Sequence, residues 1–361
     1  MSAPTLPEVG SLLETAAPAV SLPQAEAIAR DIFGLHGTLT PLSGERDSNF
    51  HLAVDARTQF VLKISHPAEN PQVTQLQTSA LLHVAARDPS LPVPRVHPTL
   101  TGETEWHLST PDEAPRVVRM LSYLAGDPMH RVATAPPLLR NLGTLLARLD
   151  RAMADFAHPA ADHDLLWDIQ QAARLRPLIR HLPDPQQQAT VQAFLDAFET
   201  QTAPNLTRLR AQVIHNDINP HNVLVDPANH HIAAGIIDFG DMVHAPLINN
   251  LAVAAAYHPT ETGHPLEAMG HLVAGYHAQL PLAPGEIDLL FDLIATRMVL
   301  SVTISGWRAE RHPENRDYIL RNNRLGWLGL SRFSEISRTD AQNYFRRLCP
   351  QDTRHDHDQR L

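Results

Sequence analysis

The sequence predicts an α+β fold of two lobes, with a small β-rich N-terminal lobe and a larger, mainly helical C-terminal lobe. Short strand-like runs at 50–54 and 60–64 fall near the start of the chain, whereas long helical patterns dominate from residue 137 onward. A chain of 361 residues with 43% hydrophobic residues is long enough for one large domain or two smaller ones, each with a core of its own.

In the N-terminal part, helical spacing over 24–33 predicts the first helix. Strands at 50–54 and 60–64 follow, rich in β-branched and aromatic residues. A further helix is predicted over 74–86, because Pro89 and the turn after it stop the helical pattern.

The C-terminal part has a succession of helical patterns. They cover 137–156, 165–181, 185–200, 247–256, 265–280 and 285–308. Asp292 and Arg297 interrupt the longest apolar stretch, so it predicts a core helix and not a membrane span. After residue 331 we see no strong periodicity, and the end of the chain is predicted to be a solvated tail.

Two segments carry the chemistry: VIHNDINPHNVLV at 213–225 and AAGIIDFGD at 233–241. A transferring phosphoryl group needs a carboxylate at the acceptor hydroxyl and oxygen ligands for Mg²⁺. Asp217 suits the first role, and Asn222 and Asp238 suit the second. An Asp beside Asn and Pro can also simply initiate a turn, but the ordered trio favours phosphoryl transfer.

Lys63 is the only lysine in the chain. The shortage itself indicates a coding bias, but the position indicates function, because a kinase places its phosphate-contacting lysine on an early strand. An arginine would not replace it easily, since its planar fork demands a different geometry around phosphates. The alternative is a lysine that snorkels from a strand edge.

With these motifs the chain resembles the aminoglycoside phosphotransferase and choline kinase superfamily, which has a protein-kinase-like fold. Within it, the chain looks like the hydroxylysine kinases and equally like the kinase domains fused to class III aminotransferases. The resemblance spans roughly residues 23–330. It rests on the two segments above and on LSGERDSNFHLAV (42–54), LQTSALLHVAARDPSLPVPRV (76–96), VVRMLSYLAGDP (117–128) and LLFDLIATRMVLSVTISGWRAE (289–310).

The resemblance implies roles for individual residues. Asp217 becomes the catalytic base, Asn222 and Asp238 become Mg²⁺ ligands, and Lys63 contacts the phosphates of ATP or GTP. The other nucleotide-binding residues that it implies are Ser48, Asn49, Gln77, Met120 and Ser122, with 43–50 as the phosphate-covering loop and 119–122 as the hinge.

The chain departs from the family pattern at two positions. Asn216 replaces the glycine of the common HGD motif, and Gln77 stands where such kinases often carry the glutamate that pairs with the lysine. Glu69 lies nearby and could serve instead, so the partner of Lys63 stays open.

These predictions divide the chain into four parts. They are a flexible N-terminal lead-in (1–22), a nucleotide-binding N-lobe (23–121), a catalytic and substrate-binding C-lobe (122–335) and a C-terminal tail (336–361).

The sequence says least about the acceptor substrate. Asp241 and Trp167 are candidate substrate-binding residues, which could hold an ammonium group by charge and by cation–π contact. The acidic residues Asp162, Asp164 and Asp168 could contribute, although helix-start carboxylates explain them equally well. The resemblance implies a hydroxyl acceptor on an amine or amino acid, with 5-hydroxylysine as the first compound to test.

Composition excludes other classes. A formal charge of −10 and a pI near 6.1 give no basic field for nucleic acid or an anionic membrane. The single cysteine, Cys349, excludes an internal disulfide, and with no basic residue before Arg30 we expect a cytoplasmic protein.

Rival cofactor motifs are missing from the sequence. There is no P-loop, no dinucleotide fingerprint and no zinc-ligand pattern. Among the histidines, His215 is predicted to support the catalytic loop, whereas His355 and His357 lie in the predicted tail.

Alternatives remain open at this point. The first is an active kinase for a hydroxylated amino acid or amine, with aminoglycoside, homoserine and choline kinases as variants. The second is a nucleotide-binding pseudokinase, for which Asn216 and Gln77 are the only hints. A metal-dependent hydrolase would need a water-positioning group that the sequence does not reveal. The fused relatives suggest an aminotransferase or lyase as pathway partner.

Overall fold

The computed structural model describes residues 20–42, 44, 47–109 and 114–351. Most of the predicted lead-in therefore lies outside the described residues, and so do Ser43 of the predicted phosphate loop and His355 and His357 of the predicted tail.

The N-terminal lobe begins with helix α1 (Leu22–Phe33), which Ser21 caps by accepting a hydrogen bond from the Gln24 amide. An antiparallel sheet follows, in the order β1-β2-β3-β6-β4, with β5 also paired to β6. Its strands are β1 (Thr38–Leu42), β2 (Ser48–Ala53), β3 (Gln59–Ile64), β4 (Val96–His97), β5 (Trp106–Leu108) and β6 (Arg116–Ser122). Helix α2 (Pro71–Arg87) lies between β3 and β4 in the chain. The predicted strands and helices of this lobe are confirmed.

Two large hydrophobic clusters of the described residues form most of the core. The smaller one joins α1 to the sheet through residues such as Ile28, Leu52, Leu62 and Met120. The larger one fills the C-terminal lobe and also takes in Leu76 and other residues of helix α2. Because burial of such side chains drives folding, α2 is anchored to the core of the helical lobe.

The C-terminal lobe is mainly helical. Its helices are α3 (Pro136–Ala152), α4 (Pro185–Ala197), α5 (Ala203–Leu206), α6 (Ile248–Ala255), α7 (Glu267–Gln279), α8 (Pro284–Arg311), α9 (Arg316–Ile319), α10 (Asn323–Phe333) and α11 (Arg338–Leu348). Shorter 3₁₀ segments are Met129–Arg131, Pro159–Asp162 and Pro313–Asn315, and Phe198–Thr202 forms a π-helical turn. In the described part of the chain no helix is long and apolar enough to cross a membrane.

Two predicted segments of this lobe need correction. The helix expected over 165–181 is a 3₁₀ helix over Ile169–His181, with Pro177 inside it, and proline lacks the amide that an α-helix would use there. The tail expected from 336 begins instead with α11. Ala341, Phe345 and Cys349 are buried, and Tyr344 and Leu348 pack against the same core. These apolar residues recur at helical spacing, so the sequence does carry the signal of an amphipathic helix that the prediction overlooked.

The chemistry-bearing segments lie on short strands inside this lobe. The strands are β7 (Asp127–Pro128), β8 (Ala211–Ile214), β9 (Val223–Asp226), β10 (Asn229–Ile236) and β11 (Val243–Pro246). Strand β9 pairs with β10 and β7, and β8 pairs with β11. The loop from β8 to β9 and the loop from β10 to β11 therefore carry the predicted catalytic residues.

Candidate active site

Asp217 lies in the loop between β8 and β9, and neighbouring side chains hold both oxygens of its carboxylate. Oδ2 accepts hydrogen bonds from Asn222 Nδ2 at 2.7 Å and from Asn219 Nδ2 at 3.0 Å. Oδ1 accepts one from Arg297 Nη2 at 3.2 Å. The orientation of the predicted base is thus fixed from both sides.

The protonation of Asp217 reflects opposing influences. Burial, together with the negative charge of Asp241, raises the pKa of its carboxyl to about 6, while the positive charge of Arg297 acts in the opposite direction. A carboxyl of this kind is a better proton acceptor than an exposed one. The arrangement therefore suits a base at an acceptor hydroxyl.

Arg297 is a site residue that the sequence analysis missed. It lies in the middle of α8 with 1% of its surface exposed. Besides Asp217, it donates hydrogen bonds to Tyr257 Oη at 3.0 Å and to the Trp167 carbonyl at 3.0 Å. The only available signal in the sequence was a charge inside an apolar helix, which by itself indicates no more than a break in a possible membrane span.

The candidate substrate residues Trp167 and Asp241 also lie near Asp217. The guanidinium carbon of Arg297 is 5.2 Å from the Trp167 ring centroid, so the cation next to this ring belongs to the protein itself. Asp241 is buried and contributes to the raised pKa of Asp217. Their proximity to the base is consistent with either a substrate contact or a supporting role.

The acidic stretch near Trp167 has structural partners. Asp164 pairs with Arg174 at 2.7 Å, and Asp168 accepts a hydrogen bond from the Gln170 amide as the N-cap of the 3₁₀ helix. Asp162 lies 3.3 Å from His244 Nδ1. The helix-start interpretation therefore holds for Asp168, whereas Asp164 is engaged in an ion pair.

The two predicted Mg²⁺ ligands are brought together by a backbone hydrogen bond. The amide of Ile237, next to Asp238, donates to the carbonyl of Asn222 at 2.9 Å. Asn222 uses its Nδ2 on Asp217, which leaves its side-chain oxygen as the potential metal ligand. The Asp238 side chain is 52% exposed.

This donor set fits Mg²⁺. One amide oxygen and one carboxylate are ligands of the type that Mg²⁺ takes from proteins, with waters and substrate phosphates completing its shell. Among the described residues no group of three or more His, Cys, Asp or Glu side chains is placed to hold a metal ion.

Lys63, on strand β3 of the N-terminal sheet, lies close to Asp238. Its Nζ lies 3.6 Å from Asp238 Oδ1 and 3.7 Å from Asp47 Oδ2. On the neighbouring strand Asn49 is paired with it in register, with a buried Oδ1 that has no hydrogen-bond partner among the described residues. The sequence left the partner of Lys63 open, and the structure pairs it with Asp238 and with Asp47, which belongs to the predicted phosphate-covering segment.

Gln77 does not take the place of the missing glutamate. Its Oε1 accepts a hydrogen bond from Arg119 Nη2 at 2.8 Å, and Arg119 lies opposite Lys63 on strand β6. The side-chain oxygen of Gln77 is thus engaged by a buried arginine and not by Lys63, and a contact between Gln77 and the nucleotide stays a prediction. A buried glutamine oxygen needs a hydrogen-bond donor, and the Arg119 guanidinium supplies one.

Two other nucleotide candidates, Met120 and Ser122, lie on strand β6 and stay predictions. The Met120 side chain has 0% exposure and belongs to the N-lobe core, so a hinge contact at this residue would come from its backbone. Ser122 donates its amide to the Arg95 carbonyl at 2.8 Å and accepts the Arg95 amide on its hydroxyl. The amide and the hydroxyl of Ser122 are therefore both engaged within the protein.

Ser48, the remaining nucleotide candidate, opens strand β2. Its hydroxyl accepts a hydrogen bond from Arg116 Nη2 at 3.1 Å. This contact gives Ser48 a structural role at the edge of the phosphate-covering segment.

His215 joins the two catalytic loops, as predicted. Its Nδ1 accepts the Asp217 amide at 3.2 Å, and its Nε2 lies 3.2 Å from the Ile237 carbonyl. Burial lowers the pKa of His215 to about 4, so the ring is neutral and donates from Nε2.

The backbone conformation of Asn216 explains how asparagine can replace the glycine of the common HGD motif. Its backbone has φ 63°, the left-handed region that glycine adopts freely and that asparagine tolerates better than most residues. The backbone amide of Asn216 donates a hydrogen bond to Asn250 Oδ1 at 3.0 Å. The HND sequence is therefore compatible with the same loop shape.

A buried network supports this loop from below. Asn250 Nδ2 donates to Asp150 Oδ1 at 2.6 Å, and Tyr276 donates its hydroxyl to Asp150 Oδ2 at 2.7 Å. Burial raises the pKa of Asp150 to about 7. Helices α3, α6 and α7 thereby fix the backbone next to the base.

The buried carboxylate of Asp217, the side-chain oxygens of Asn222 and Asp238 and the ammonium group of Lys63 form the arrangement expected of a phosphoryl-transfer enzyme with a protein-kinase-like fold. The chain belongs to the phosphotransferase enzyme family, whose pattern matches residues 38–284. It is a small-molecule kinase of this family.

Relatives and solved structures agree with this placement. The chain is 28% identical to the hydroxylysine kinase of Mus musculus over 347 residues, which cover 89% of this chain and 91% of that protein. It is 28% identical to the hydroxylysine kinase of Danio rerio over 338 residues, covering 90% and 94%.

Among solved structures, a microcompartment-associated aminopropanol kinase matches with a TM-score of 0.62 and 18% identity, covering 90% of this chain and 100% of that one. The amicoumacin kinase in complex with AMP-PNP, Ca²⁺ and Ami matches with a TM-score of 0.62 and 15% identity, covering 92% and 96%. These structures show the fold.

Proposed function

We propose that the protein transfers the γ-phosphoryl group of ATP or GTP to a hydroxyl of an amino acid or amine, with 5-hydroxylysine as the first acceptor to test. The observation that carries the proposal is Asp217, whose carboxylate is held by Arg297 and Asn222 beside the pair formed by Lys63 and Asp238.

Each residue has a task in this reaction. Asp217 orients the acceptor hydroxyl and accepts its proton as the oxygen attacks the phosphorus. Lys63 binds the nucleotide phosphates, and its present ion pair with Asp238 keeps it directed at the metal side. Asn222 and Asp238 would hold Mg²⁺, which when bound neutralises charge on the phosphates.

The choice of acceptor rests on similarity as well as on geometry. Two relatives that match about nine-tenths of the chain are named hydroxylysine kinases. The amine-type alternatives, an aminoglycoside, homoserine or choline acceptor, would use the same base and metal ligands.

A nucleotide-binding pseudokinase is less well supported than an active enzyme. Its two hints have physical explanations, because Asn216 adopts the required left-handed backbone and Asp47 pairs with Lys63 in place of a glutamate at Gln77.

We also propose the division into a nucleotide-binding N-lobe over 23–121 and a catalytic C-lobe from 122, which α10 and α11 extend to Leu348. A cytoplasmic setting and an aminotransferase or lyase that consumes the phosphorylated product complete the proposal.

The test is a screen of purified protein with Mg²⁺ and either ATP or GTP against 5-hydroxylysine, homoserine, choline, ethanolamine and aminoglycosides. Nucleoside diphosphate release is measured for each acceptor. We expect release that depends on 5-hydroxylysine. Nucleotide binding without turnover of any acceptor would favour the pseudokinase instead.

A further inference from the structure

A pocket of about 720 Å³ opens in the helical lobe beside the catalytic loop. Pro220 and His221, three and four residues after Asp217, form part of its wall. Tyr257 forms another part, and its hydroxyl oxygen accepts the hydrogen bond from Arg297, which also pairs with Asp217. The pocket therefore shares its walls with the surroundings of the base.

The pocket is lined by one charge of each sign that has no ion-pair partner in the described part of the chain. Arg321 stacks on the Tyr318 ring at 3.8 Å and donates to the Tyr318 carbonyl at 3.0 Å, which leaves most of its donors available. Glu267, at the start of α7, lines the same pocket. By contrast, Arg324, which also lines the pocket, is paired with Glu261 at 3.1 Å.

The histidines next to Arg321 do not add to its charge. His221 stacks on His130 with 4.0 Å between ring centroids. Burial lowers the pKa of His221 to about 4, and burial lowers the pKa of His130 as well. Both rings are therefore neutral near pH 7, and Arg321 is the arginine of this lining that has no ion-pair partner in the described part of the chain.

Part of the remaining lining suits a hydrocarbon chain. Met129, Val132, Leu139 and Leu325 contribute apolar surface to the pocket. A ligand with a zwitterionic end and a methylene chain would match this combination of charges and apolar contacts.

We propose that this pocket binds the α-amino acid end of the acceptor, with Arg321 holding the carboxylate and Glu267 the ammonium group. Arginine forms charge-assisted, often bidentate hydrogen bonds with a carboxylate, and these are stronger than neutral ones. The inference rests on the proposed function and deepens it, because it selects a free amino acid with a side-chain hydroxyl over an amine that lacks a carboxylate.

Binding measurements test the proposal independently of turnover. Calorimetry on the full chain with Mg²⁺ and a non-hydrolysable nucleotide compares 5-hydroxylysine with its decarboxylated analogue, 1,5-diaminopentan-2-ol. We expect 5-hydroxylysine to bind at least about tenfold more tightly, since the analogue lacks the group that Arg321 recognises.

Variants then assign the preference to residues. Arg321→Met should weaken 5-hydroxylysine binding by about 10- to 100-fold and change analogue binding by less than about twofold. Glu267→Gln should weaken binding of 5-hydroxylysine but not of its Nα-acetyl derivative, which has no α-ammonium group. Arg316→Met is the matched control, because Arg316 is exposed nearby and does not line the pocket.

The outcomes separate this inference from the proposed function. Equal affinity of the wild type for 5-hydroxylysine and the analogue, or equal losses in Arg321→Met and Arg316→Met, would overturn the inference even if phosphoryl transfer occurs. Failure of both 5-hydroxylysine and homoserine to bind would overturn it as well. Binding that depends on Arg321 without any phosphoryl transfer would support the pocket and refute the kinase activity.

Discussion

Replacing Arg297 by methionine should lower kcat by about 10- to 150-fold while leaving nucleotide affinity unchanged. Arg297 donates to Asp217 Oδ1 at 3.2 Å, and without it the Asp217 carboxylate keeps only its contacts with Asn222 and Asn219 on Oδ2. A hydrogen bond to a charged group contributes about 1.5–3 kcal/mol. At about 1.4 kcal/mol for each factor of ten, this loss corresponds to the stated range if it falls on the transition state.

The assay is steady-state turnover with a coupled measurement of nucleoside diphosphate, together with calorimetric binding of the nucleotide. The Arg297→Lys variant should recover part of the activity, because an ammonium keeps the charge but cannot donate to Asp217, Tyr257 and the Trp167 carbonyl in the same geometry. All measurements are made well below the melting temperature of each variant, since a fully buried cation is removed.

A control at the other end of the same helix distinguishes a role at the base from loss of stability. Arg210 pairs at 2.7 Å with Glu286, which lies near the start of α8 and about 16 Å along the helix from Arg297. Arg210→Met should reduce stability without changing kcat. An unchanged kcat in Arg297→Met, or equal losses in the two variants, would refute the positioning role of Arg297.

Substitutions at three further positions test other parts of the structure. Lys63→Arg should weaken nucleotide binding or turnover measured side by side with wild type, since the phosphate site is shaped for an ammonium group; wild-type kinetics would remove Lys63 from that site. Asn216→Ala should lower the free energy of unfolding by about 1–2 kcal/mol, because alanine is strained in the left-handed backbone conformation of this residue. Asn216→Gly should be at least as stable as the wild type in denaturant titrations. Equal stability of the alanine and glycine variants would contradict this prediction. The Asp150 carboxyl has a pKa of about 7 in the folded protein and binds its proton more tightly there than in the unfolded chain, so the wild type loses stability as pH rises. The Asp150→Asn variant lacks this carboxyl and should therefore gain stability relative to the wild type between pH 5 and pH 8. A stability difference that does not vary with pH would count against this assignment.

The residues that the sequence predicted best belong to short local segments. Asp217, Asn222 and Asp238 are identified by spacing on two neighbouring loops, and the structure brings these loops together through the Ile237 amide. Lys63 was found because a single lysine on an early strand is distinctive, and it does lie 3.6 Å from Asp238.

The missed features depend on contacts between distant parts of the chain. Arg297 follows Asp217 by 80 residues, and no local pattern relates a helix interior to that loop. The contact between Gln77 and Arg119 likewise depends on how α2 is placed over the sheet, which no local pattern reveals.

The central claim is tested most directly by incubating the protein with Mg²⁺, 5-hydroxylysine and ATP or GTP and identifying the product by mass spectrometry. We predict 5-phosphohydroxylysine, formed in amounts that match the nucleoside diphosphate released, and a rate that falls by about 10²- to 10⁴-fold in Asp217→Asn while nucleotide binding persists. Unphosphorylated acceptor, or the same rate in Asp217→Asn as in the wild type, would contradict the proposed phosphoryl transfer.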